Sequence, residues 1–97
     1  MSYKITQYTK LMAKELGVII KLSTVKGKKI DVFKAGKKIA SIGAIGYDDF
    51  PTLLEKEKFG KVSKGEADKR QKLYKIRHES DRHKKGSPGY YADKLLW

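Results

Sequence analysis

Apolar residues at the start of the chain recur at helical spacing. Ile5, Tyr8, Met12 and Leu16 stand three or four positions apart, as one face of a helix requires. Thr6 offers a capping hydroxyl and Gly17 a residue suited to end the helix, so residues 5–16 are predicted helical. The pattern then changes. Val18 to Val25 is rich in β-branched residues and too short for another helix, and Lys29 to Lys34 alternates as a strand does. Lys38 to Ile42 is a third apolar run. Turn signals at Lys26-Gly27-Lys28 and Ala35-Gly36-Lys37 separate the three, so residues 18–43 are predicted to form a three-stranded antiparallel β-meander.

The second half reads as helical, from residue 48 to an apolar tail. Gly43 to Tyr47 is a loop, after which Asp48-Asp49-Phe50-Pro51 has the caps and early proline of a helix start. That helix is expected over about 50–58, stopping near Phe59-Gly60. A third helix is expected from Glu66 to Arg82, where strong helix formers run without glycine or proline. Lys84 to Gly89 breaks it, and Tyr90 to Trp97 is given a final turn or two. The expected architecture is one α+β domain over residues 1–97. It has an N-terminal helix, the meander, and C-terminal helices packing back on the sheet.

Charge changes this picture most. The 97 residues carry 23 Lys+Arg against 11 Asp+Glu, a formal net charge of +12. Such an excess attracts phosphate polymers, and small basic domains commonly bind nucleic acid. The alternative is contact with acidic protein surfaces in an assembly. Hydrophobic residues make up 39%, too many for a disordered chain, and no apolar run approaches the roughly 20 residues of a membrane span. Met1 to Lys4 has no apolar signal stretch, and the absence of cysteine suits a reducing intracellular setting. No cofactor is expected.

Two basic surfaces compete for the polyanion. The meander turns carry Lys28, Lys29, Lys37 and Lys38, and the third helix carries Lys72, Lys75 and Arg82 on its polar side. These seven are the expected phosphate contacts, with little base-specific readout. A solvated helix face and charged hairpin tips that resist edge pairing are the plain structural explanations. On a helical projection at about 100° per residue, Arg70 and Arg77 fall within the apolar arc of Ala67, Leu73, Tyr74 and Ile76. A guanidinium facing a core needs a planar anionic partner. Arg70 and Arg77 are therefore expected in structural ion pairs, with Asp81 on the same arc as a partner. Asp48, Asp49 or the Trp97 carboxylate would also serve.

Catalytic patterns are weak. His78 and His83, five positions apart, lie too far round a helix to share a metal, and Glu79, Asp81 and His83 have no diagnostic spacing. Gly43-Ala44-Ile45-Gly46 lacks the lysine of a phosphate-binding loop. The expected function is therefore non-enzymatic, with no metal. Leu95-Leu96-Trp97 would form a sticky patch if exposed, so they are expected either to fold back into the core or to dock on a partner, while Tyr90 and Tyr91 offer rings for base stacking.

The run Ala67-Asp68-Lys69-Arg70-Gln71-Lys72-Leu73-Tyr74-Lys75-Ile76-Arg77-His78 holds Arg70, Tyr74, Arg77 and His78, which follow an Arg-x-x-Tyr-x-x-Arg-His helix pattern with one additional residue between Arg70 and Tyr74. With Gly46-Tyr47-Asp48-Asp49-Phe50 before it and the Leu-Leu-Trp tail, it resembles small basic proteins of giant nucleocytoplasmic DNA viruses. The resemblance covers the second half of the chain and includes Arg70, Tyr74, Arg77, His78 and Trp97. It implies a viral origin in virions or infected cells, brings no activity with it, and favours structural roles for the two arginines.

Overall fold

The computed structural model describes residues 3–97; Met1 and Ser2, part of the N-terminal segment considered above, lie outside the described residues. The fold is α+β: an N-terminal helix, a three-stranded antiparallel meander, and helices packing back on the sheet. In chain order the elements are α1 (Gln7–Leu16), β1 (Ile19–Leu22), β2 (Lys28–Lys34), β3 (Lys37–Ala44), α2 (Phe50–Lys58), α3 (Glu66–Arg77) and α4 (Pro88–Leu96). Among the described residues, no helix is long and apolar enough to cross a membrane.

Local chemistry sets most boundaries. The Thr6 hydroxyl accepts from the Thr9 N–H to start α1, and Gly17 ends it with φ at 72°. The Asp49 carboxylate caps α2 through the Thr52 N–H. Gly65 has no side chain to cap α3. Glu57 of α2 does so from outside, its two oxygens accepting from the N–H groups of Gly65 and Ala67 at 2.7 and 2.8 Å.

The sheet order is β1-β2-β3. Ile30 pairs with Ile42 and Val32 with Ala40, and all four are buried. Ala13 of α1 and Tyr91, Leu95 and Leu96 of α4 join them in one apolar cluster. The tail is thus folded inward, and the last helical turn or two expected there belong to a helix of 9 residues that starts earlier, at Pro88. Ser87 caps this helix through the Tyr90 N–H, with Pro88 in its first turn. Thr9 ties α1 to α4 by donating to the Leu95 carbonyl at 2.9 Å.

Two further differences from the sequence expectation matter. Strand β3 continues through Gly43, where φ is +80° and a Cβ would approach Lys29 Cδ to 2.8 Å and Leu96 Cδ1 to 2.9 Å. Only glycine suits that crossing. Helix α3 ends at Arg77 rather than Arg82. The chain from His78 to Ser87 instead makes successive turns, including Asp81 N–H to the His78 carbonyl and Lys84 N–H to the Asp81 carbonyl. This bend brings Arg82 to 3.7 Å from the buried Asp93 of α4, which an unbroken helix would not do.

Candidate nucleic-acid interface

The expected phosphate contacts do not form one surface. Lys28 and Lys37 sit at opposite ends of the β2–β3 ladder, where Lys28 pairs with Ala44 and Lys34 with Lys37. At strand rise, that separation is roughly 20 Å. Lys37 is exposed at the hairpin tip, while Lys38 lies 3.8 Å from Asp31. Lys72 is exposed on α3.

Besides Lys38, three more of the seven are otherwise engaged. Lys29 is only 5% exposed, and its ammonium lies 3.0 Å from the buried Asp49 carboxylate while donating to the Tyr47 carbonyl. Tyr3 donates to the same oxygen, Asp49 Oδ2, at 2.7 Å. Burial and the Asp49 carboxylate push the Tyr3 hydroxyl far above the usual tyrosine range, which keeps it a donor. A lysine so enclosed cannot meet a phosphate, and the expectation for Lys29 is corrected accordingly. Lys75 is held at 2.8 Å by Asp93, and Arg82 by Glu79 at 2.8 Å and Asp93 at 3.7 Å. These two join α3 and the following turns to α4. A carboxylate buried among apolar residues has to be neutralised, and the nearest cations are recruited for it.

The expected ion pairs of Arg70, Arg77 and Asp81 are also corrected. Both arginines are exposed and make no ion pair among the described residues, while Asp81 lies 3.6 Å from His78 Nδ1. The helix projection failed because the arc that carries them does not face a core. Within it Ala67 and Tyr74 are buried, but Leu73 and Ile76 remain 48% and 65% exposed. The arc borders open space instead.

That space is a groove of about 760 Å³ between α3 and the end of the sheet. Lys28 lines it from β2, and Arg70 and Arg77 from α3. The arginines are seven residues apart, about 10.5 Å along the helix. The two side-chain carboxylates bordering the groove are already matched: Asp49 by Lys29, and Asp48 by Lys56 at 2.7 Å. Lys28, Arg70 and Arg77 therefore line the groove with no ion pair to any side-chain carboxylate among the described residues.

Its inner wall is aromatic. Tyr74 stacks on Trp97 with ring centres 4.5 Å apart and planes 6° apart, and on His78 at 4.3 Å. Gln71 fixes this arrangement by donating to the Trp97 main-chain oxygen at 2.6 Å. Burial, aided by the Asp93 and Asp81 carboxylates, pushes the Tyr74 hydroxyl up to about 12, so it stays neutral. The rings suggested for stacking from sequence are elsewhere: Tyr91 is buried in the core, edge-on to Tyr90. The i, i+3, i+4, i+7 series Arg70, Leu73, Tyr74, Arg77 was the visible sign of the groove wall. Its pairing with Trp97 was not visible.

Of the residues weighed above as a catalytic pattern, Glu79 bonds His83 and Arg82, and these bonds hold its carboxyl below the usual range, whereas Asp81 lies 3.6 Å from His78, which belongs to the aromatic stack. No protein-family model, curated protein or solved structure matches the chain.

Proposed function

We propose that the protein binds nucleic acid without catalysing a reaction on it, through phosphate contacts centred on the groove. The observation that carries this reading is the convergence of Lys28, Arg70 and Arg77, from a strand and a helix, with no carboxylate pairing them among the described residues. Exposed Lys37 and Lys72 add to the long-range attraction. The resemblance of the second half to proteins of giant DNA viruses supplies the setting of this proposal, a virion or an infected cell.

Each phosphate neutralised releases condensed counterions, so affinity falls with salt in proportion to the number of contacts. Titration of labelled DNA and RNA, single- and double-stranded, across a salt series is the test. Lys28→Ala, Arg70→Gln and Arg77→Gln are each expected to lower affinity and to reduce the log–log salt slope by about 0.7–0.9. Absence of binding to all four at roughly 50 mM salt refutes the reading. The second reading is contact with an acidic protein surface in an assembly. Leu73 and Ile76 support it, since they expose apolar area between the same two arginines.

A further inference from the structure

We infer that the groove takes a single strand with unpaired bases, and that a base stacks against the ring assembly of Trp97, Tyr74 and His78. This rests on the nucleic-acid reading above and goes beyond it, because phosphate attraction alone does not distinguish single strands from duplexes. Single-strand sites combine a cationic track for the backbone with aromatic surfaces for the bases. Both are present in the groove. Lys28, Arg70 and Arg77 supply the track, and Trp97 and His78, both half-buried, line the same space beside Tyr74.

The rings are held in place before any ligand arrives. Leu95 and Leu96 bury the adjoining helix, Gln71 fixes the Trp97 main-chain oxygen, and Tyr74 is packed on both its neighbours. A fixed ring loses little conformational freedom when a base stacks on it. Exposed Leu73 and Ile76 extend the apolar surface between the arginines, where a base sheds more water than a phosphate can. A duplex keeps its bases stacked inside and presents only phosphates and groove edges to such a wall. It forgoes the aromatic contact.

Trp97 is the chain's one tryptophan, so its fluorescence reports directly on the groove. The full chain is titrated with an oligothymidylate, an abasic oligomer of equal length and charge, a duplex, and polyglutamate. The oligothymidylate is expected to bind about tenfold or more tighter than the abasic oligomer, since base–aromatic stacking contributes about 1–3 kcal/mol. It is also expected to quench Trp97, whereas the abasic oligomer leaves the emission nearly unchanged. Equal affinity for the two oligomers, or tighter binding of the duplex, overturns the inference and leaves the phosphate reading standing. Polyglutamate binding as tightly as oligothymidylate, with equal quenching, overturns it in favour of an acidic protein partner. Failure to bind any nucleic acid overturns both readings together. Trp97→Leu is expected to erase the base-over-abasic preference and Trp97→Phe to keep it. If Trp97→Leu does not fold, the wild-type comparison and the Phe variant decide.

Discussion

Lys28 and Lys29 are neighbours in sequence with the same side chain, and the structure gives them opposite environments. Lys28 is exposed at the groove, while Lys29 sits under Tyr3, 3.0 Å from a carboxylate that is itself 1% exposed. Lys29→Met keeps the aliphatic stem and removes the ammonium. Breaking a buried ion pair by deleting one partner costs about 3–5 kcal/mol. The low end, about 3 kcal/mol, is expected, because the Tyr3 hydroxyl and the Thr52 N–H still bond Asp49. Asp49→Ala is expected to cost more. It also removes the α2 cap, worth about 1 kcal/mol, and leaves the ammonium buried without an anion.

Urea unfolding followed by circular dichroism measures both. With a slope of about 1–3 kcal/mol/M, a 3 kcal/mol loss moves the midpoint down by about 1–3 M. The Lys29→Met, Asp49→Ala double variant should lose less than the sum of the singles, since the two sites share one interaction. Lys28→Ala, by contrast, should change stability by less than about 0.5 kcal/mol while weakening nucleic-acid binding. A Lys29→Met midpoint within error of wild type refutes the reasoning. So does a loss of binding matching that of Lys28→Ala when both variants are fully folded.

Asp31 gives an acid limb to stability. It lies covered but shallow, bonded by Ser23 and Ser41 hydroxyls at 2.6 and 2.7 Å and by the Thr24 N–H at 3.2 Å. Burial would raise its pKa, but these bonds and Lys38 outweigh it and bring the value down to about 2. A folded value below the ordinary one near 4 means stability is fully present above that ordinary value and is lost as pH falls toward about 2. Allowing for solvent screening, about 1 kcal/mol is expected to vanish across that window and to be missing from the pH profile of Asp31→Asn. Gly43→Ala is expected to cost about 2–4 kcal/mol, read from the urea midpoint. It adds left-handed strain at φ +80° to contacts of 2.8 and 2.9 Å with Lys29 and Leu96.

Much of the fold could be read from local pattern. Helical spacing from Ile5 to Leu16, β-branched runs parted by Gly27 and Gly36, and the Asp49–Pro51 helix start are short-range signals whose causes lie within a few residues. The element order and the meander follow from them. Chain length between partners decided the rest. Asp93 lies 18 residues from Lys75, yet it draws in Lys75 and Arg82 together, which is why those cations leave the candidate surface.

Tertiary structure also made Arg70 and Arg77 a groove wall. A helix projection ranks faces by polarity but does not say what stands opposite each face. Here that was the end of the sheet and open space, not a core. Composition established by itself that the chain carries a formal net charge of +12. Where that charge is left unpaired depended on which carboxylates the fold buried. A buried carboxylate costs too much to leave alone, so Asp49 and Asp93 took their cations first, and Lys28, Arg70 and Arg77 were left without an ion pair among the described residues.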